Sequence, residues 1–250
     1  MKFFAESGKY PAAGLFSFEH LLMIIICFLV LSFLIWKTLK VKISDPFKII
    51  KLSAIIVFLM ELTKIIWGTS VGRYDNWYDY LPLWFCSLFI PLSLLAGFGK
   101  GKIQEFSLMF LFYGGIVGGF AYLFFPTTSI GRYPIFHFIS FHSMFYHVIM
   151  IYIGFLVVYH KMITPKMKDL FGYVLITTVF CLIAFIVNHY LGTNYMFLSR
   201  YSNNPVLKVL YQNTGKLYPL ILTICQNFGT FLVSLGLLYE YIIVFIAMSG

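Results

Sequence analysis

Residues 21–36, LLMIIICFLVLSFLIW, are sixteen in a row without a charge, a proline or a glycine. A hydrocarbon core about 30 Å thick takes a helix of about 20 residues, and a somewhat shorter run suffices when flanking aromatic and basic side chains reach the interfaces. The run is followed by KTLKVKISDPFK rather than by small residues of the A-x-A kind, so it reads as a retained helix and not as a cleaved signal peptide. Six more stretches have the same character: 52–67, 80–98, 106–125, 135–159, 170–191 and 218–248. The expectation is an all-α, polytopic protein of the cell membrane, with seven transmembrane helices in a single domain over 1–250. Residues 193–216 contain Asn203, Asn204 and Pro205 in a polar context and read as a long external loop.

Composition agrees with the pattern. Hydrophobic residues make up 60% of the 250-residue chain and charged residues 11%, where soluble domains run near a quarter charged. This excludes a soluble globular domain, a disordered chain and a disulfide scaffold. The net charge of +9 reads in this setting as topology and contact with anionic lipid, not as nucleic-acid binding. Ten lysines fall in alternate connections: Lys37, Lys40, Lys42, Lys48, Lys51, Lys100, Lys102, Lys161, Lys166 and Lys168. The other side carries seven basic residues over longer segments: Lys2, Lys9, Arg73, Arg132, Arg200, Lys208 and Lys216. The positive-inside rule then puts the N-terminus outside and the C-terminus inside.

Polar side chains at membrane depth cost roughly 2.5–3.5 kcal/mol each when charged, so each calls for a partner or a purpose. With a rise of about 1.5 Å per residue, Cys86 falls roughly 9 Å inside the outer start of its stretch and His142 roughly 10 Å inside its own. Glu61, Lys64, Asn188, Gln226 and Asn227 fall in the same outer half, and Glu19 and His20 lie at the mouth of the first stretch. This predicts one polar cavity open to the outer leaflet. Structural readings stand beside it: Glu61 and Lys64 are spaced for an i, i+3 ion pair, and Glu19 suits a helix N-terminus.

Cys27, Cys86, Cys181 and Cys225 sit singly on different helices, and no metal-ligand spacing or cofactor motif is present. Cys27 and Cys181 have apolar neighbours; Cys86 and Cys225 have polar ones and are the candidate thiolates. His137, His142 and His147 are five apart, so they turn about the helix instead of forming a stripe, and His147 reads as a neutral core histidine. Gly114/Gly118 and Gly115/Gly119 form two overlapping small-xxx-small pairs, which serve packing within the bundle or a homodimer through Gly114 and Gly118. Pro82 is placed to kink the third stretch just outside Cys86.

The order of FSFEH, ELTKIIW, LPLWFCSL, HFISFHSM and GTNYMFL along the chain resembles the YwaF-like family of bacterial membrane proteins. That family is similar to the transmembrane-164 acyltransferase and, more distantly, to the androgen-induced-gene membrane hydrolases. The resemblance implies lipid acyl chemistry with a Cys or Thr nucleophile on one helix and a His on another. Carried onto this chain, the nucleophile is Cys86 and the base His142, with His20, Glu61 and Asn194 as cavity residues and a membrane phospholipid or lysolipid as substrate. The alternative is a non-catalytic transporter or receptor that binds a small solute or lipid through Glu61, Lys64, Asn188, Gln226 and Asn227.

Overall fold

The computed structural model describes residues 2–72, 76–201 and 205–249, so Arg73, Asn203 and Asn204 of the sequence argument lie outside the described residues. Among the described residues every regular element is helical. The long helices are α1 (Phe18–Lys40), α2 (Pro46–Ser70), α4 (Gly101–Phe124), α5 (Phe138–Tyr159), α6 (Met167–Leu191) and α8 (Tyr218–Ser249). Two shorter ones are α3 (Phe89–Phe98) and α7 (Pro205–Thr214). Among the described residues five stretches are long and apolar enough to cross a membrane: Phe18–Lys40, Gly101–Phe124, Phe138–Tyr159, Met167–Leu191 and Val206–Gly236. The chain divides into two compact units, the first made of 1–82 and 86–162, the second of 83–85 and 163–250.

Helix α1 shows how hydrocarbon replaces water as the solvent. Asp45 and Ser17 cap α2 and α1 through their side-chain oxygens, as short polar residues do at helix starts. Along α1, His20, Met23, Ile24, Cys27, Leu31 and Thr38 are buried at helical spacing, while Leu22, Ile25, Leu29, Phe33 and Trp36 remain exposed. An apolar face of this extent outside the protein is at home against lipid tails. In α4 and α5 both faces are enclosed, and these two helices form the centre of the first unit, with α5 also packed on α1 and α2.

Glycine explains how closely α4 and α5 approach. A Cβ on Gly115 would stand 2.7 Å from the Met150 carbonyl oxygen, one on Gly119 would collide with Ile151, and one on Gly154 would stand 2.7 Å from Ile116. The small-xxx-small pair Gly115/Gly119 therefore forms part of this seam, and Gly114 and Gly118 are likewise buried within the chain.

One end of this unit is closed by the N-terminal segment. Ala13 and Gly14 donate their N–H groups to the carbonyls of Tyr133 and Ile130, Trp67 donates to Phe4, and His137 bonds the Ala5 carbonyl. Helices α2 and α4 both finish at this end, so the chain between them has to return to the start of α4. It does so unevenly. Residues 81–85 are not helical, a 3-10 turn covers Cys86–Leu88, and only then does α3 begin. The expected helix over 80–98 is thus cut to a ten-residue one, because Pro82 and Pro91 each remove an N–H donor from the segment. Irregular backbone of this kind is tolerated in a membrane protein where other protein groups satisfy it.

In the second unit, α6 packs on α8 and α7 on the start of α8. Residues 193–216, expected as an external loop, hold a 3-10 turn at Tyr195–Phe197 and the amphipathic α7.

Candidate functional site

The 3-10 turn before α3 begins at Cys86, and the Tyr146 hydroxyl donates to the Cys86 backbone carbonyl at 2.8 Å. One residue further along α5, His147 Nε2 lies 3.0 Å from Cys86 Sγ. The other ring nitrogen, Nδ1, is 2.6 Å from the Ser143 carbonyl oxygen. A carbonyl only accepts, so Nδ1 carries the proton and Nε2 presents its lone pair to the thiol. The thiol donates to an imidazole whose tautomer is fixed from behind, the arrangement a general base for a sulfur nucleophile requires.

The imidazole is held in its plane as well. Tyr122 of α4 stacks on it at 3.7 Å and 3°. The Tyr122 hydroxyl donates to Ser129 Oγ and is hydrogen-bonded to Thr128 Oγ1, each at 2.9 Å. This stacking is possible because Gly119, one turn earlier, lets α4 approach α5 at the level of the His147 carbonyl. His147 is about 14 Å into α5 by helical rise, and only 4% of its surface is accessible.

His142 does not occupy the position expected of it. Its Nε2 bonds the Met60 carbonyl at 2.8 Å and so ties α5 to α2; the imidazole facing Cys86 is that of His147. The physical reason is the irregular backbone before Cys86. Depth estimated at a uniform helical rise does not hold across residues 81–85, where extended backbone advances more than twice as far per residue.

Glu61 and Lys64 form the anticipated i, i+3 ion pair at 2.6 Å, with side chains 22% and 23% exposed. Lys64 is near enough to act electrostatically on both Cys86 and His147, and Glu61 on Tyr146. The other expected cavity residues are engaged in bracing. His20 accepts from the Phe16 N–H and bonds the Leu123 carbonyl, joining the start of α1 to the end of α4.

The remaining candidates belong to the second unit. Asn188 accepts from the Tyr195 N–H and the Thr193 hydroxyl and donates to the Tyr195 carbonyl. Asn194 accepts from the N–H groups of Ser199 and Arg200. Together they hold a turn in which Met196 and Phe197 adopt φ of +52° and +61°, a conformation that costs side-chain-bearing residues roughly 1–3 kcal/mol. Trp84 packs edge-on against Tyr195 and Phe197, so the tryptophan of LPLWFC and the aromatics of NYMF form one cluster. Asn227 bridges to Thr177 and Thr178 of α6, and Gln226 reaches the Met196 carbonyl and the Cys181 thiol.

Of the other cysteines, Cys27 and Cys181 are buried and Cys225 is exposed on α8. Among the described residues no three His, Cys, Asp or Glu side chains are grouped to hold a metal ion. Nothing in the sequence marks Tyr122 or Tyr146 as a site partner; for Ser143 the usable signal is FHSMFYH itself, in which Ser143 and His147 are one helical turn apart.

Comparison with curated proteins and with solved structures finds no match. A protein-family model does match, over residues 15–239, a span that includes both Cys86 with its histidine and the NYMF turn. This chain belongs to the TMEM164 family of membrane proteins.

Proposed function

We propose that the protein is a membrane-embedded lipid acyltransferase or hydrolase in which Cys86 is the nucleophile and His147 the base. The observation that carries the reading is the 3.0 Å contact between Sγ and the unprotonated Nε2, in an imidazole locked by Ser143 and Tyr122. Family membership and the apolar surroundings support a substrate that is itself a membrane lipid, a phospholipid or lysolipid. The asymmetry of the lysines supports an N-terminus outside, which puts the pair toward the outer leaflet.

The chemistry balances with these two groups. The thiol proton passes to Nε2 as sulfur bonds to the ester carbonyl carbon. The ester C–O bond then breaks, and the departing alkoxide takes the proton from Nε2–H, leaving a thioester on Cys86. A water or lysolipid hydroxyl next gives its proton to Nε2 and attacks the thioester carbonyl. The C–S bond breaks, and the thiolate recovers the proton.

The test uses the full chain reconstituted in vesicles of phosphatidylcholine carrying a labelled acyl chain, with mass spectrometry of the lipids and of the Cys86 peptide. The expected result is release or transfer of the labelled chain, an acyl adduct on Cys86, and loss of both in Cys86→Ser and His147→Ala. Unchanged turnover in both variants would falsify the proposal.

A further inference from the structure

The second unit contains a cleft of about 220 Å³ lined by residues that include His189, Ser199, Tyr211, Lys216 and Tyr218. That is room for a phosphate ester. Its chemistry is one-sided. Lys216 supplies an ammonium group, and from Leu170 to Tyr239 the sequence has no Asp or Glu to neutralise it. His189 lies on the last turn of α6, and Ser199 adds a hydroxyl that can donate. Helix α8 begins at Tyr218 on the same wall of the cleft, its first N–H taken up by the Gly215 carbonyl.

An independent sign comes from Tyr218. Its side chain is 1% exposed, it packs edge-on to Tyr211 at 5.0 Å, and its buried hydroxyl has no hydrogen-bond partner. A buried donor left unpaired costs roughly 1–3 kcal/mol, and because Tyr218 lines the cleft, a small turn of its side chain would let an acceptor oxygen there satisfy it. The neighbouring surface says where such an oxygen comes from. Val206, Val209 and Leu217 are exposed beside Lys208 and Lys216, the pattern of a segment lying at the boundary between headgroups and acyl chains.

We propose that this cleft binds the phosphate group of a membrane phospholipid, held by Lys216, His189, Ser199 and the Tyr218 hydroxyl. The site uses none of the residues around Cys86 and stands whether or not that cysteine is catalytic.

The test is thermal stabilisation of the full chain in a neutral detergent by dioctanoyl phosphatidic acid, dioctanoylglycerol or inorganic phosphate. Phosphatidic acid is expected to raise the melting temperature, and dioctanoylglycerol at equal concentration is not. Lys216→Gln and Tyr218→Phe are each expected to weaken the apparent affinity about tenfold, while Cys86→Ser binds as the parent does. Without lipid, Tyr218→Phe should melt no lower than the parent, since the hydroxyl it removes makes no bond, and Lys216→Gln changes an exposed residue. Equal stabilisation by the two lipids, or parent-like affinity in both variants, overturns the proposal. Phosphate ions that reproduce the full effect while the lipid adds nothing would identify a soluble anion and overturn the lipid assignment; a lipid effect that persists in phosphate supports it.

Discussion

The rings of Tyr122 and His147 lie parallel, 3.7 Å apart with 3° between their planes. With Nδ1 bonded to Ser143, the stack leaves the imidazole a single orientation toward Cys86. Tyr122→Leu removes the stack and is expected to lower turnover about tenfold, the equivalent of about 1.4 kcal/mol and within the range of an aromatic pair. Tyr122→Phe keeps the ring and should stay within about threefold. The rate of Cys86 alkylation by iodoacetamide, measured alongside, should fall in the first variant and not in the second.

His142 and His147 are five residues apart on one helix and are expected to fail differently. His147→Ala removes the base and should lower turnover by about 10²- to 10⁴-fold, on top of the fall in melting temperature that the loss of a buried, stacked ring brings. His142→Ala removes the bond to the Met60 carbonyl and should cost about 1–3 kcal/mol of stability with much smaller effect on the chemical step. Paired melting and turnover measurements separate the two; equal loss of turnover in both variants would return His142 to the site.

Much of the site could be read from the sequence, and the part that could not has a definite cause. Cys86, a histidine from HFISFHSMFYH, the Glu61–Lys64 pair and the packing glycines all follow from residue type and spacing. The partner of Cys86 did not, because its position depends on how far the chain advances through residues 81–85, and proline-broken backbone has no fixed rise. For Gln226, Asn227 and Asn188 the sequence offers depth alone as a reason to expect a cavity. Depth does not give azimuth, and in the structure these side chains are engaged with Thr177, Thr178, Met196 and Tyr195.

The Glu61–Lys64 pair can be separated from simple packing by a double-mutant cycle. Glu61→Gln and Lys64→Met are each expected to lower stability, and the double variant should recover about 0.5–1 kcal/mol relative to the sum, a coupling appropriate to a partly exposed pair. Lys64→Met should in addition change the rate of Cys86 alkylation, because Lys64 acts electrostatically on the thiol and on His147. An alkylation rate equal to that of the parent would confine the pair to a structural role.

The Asn188 side chain makes three hydrogen bonds in the turn containing Met196 and Phe197. Asn188→Ala is expected to cost about 2–3 kcal/mol, since the strained turn loses its clamp and buried backbone groups lose partners. Limited proteolysis near Ser199 should accelerate in that variant, and a parent-like cleavage rate would show that other contacts suffice.

The glycine seam between α4 and α5 bears on how this protein would break in a population of variants. Gly115 and Gly119 carry no chemistry, yet a methyl group at either would meet the Met150 carbonyl or Ile151 and push Tyr122 off the imidazole. At Gly229 and Gly236 the same methyl group would touch nothing. A saturation screen for inactive clones should therefore recover alanine at the first two positions and never at the last two, so that inactivating glycine positions trace the back of the site.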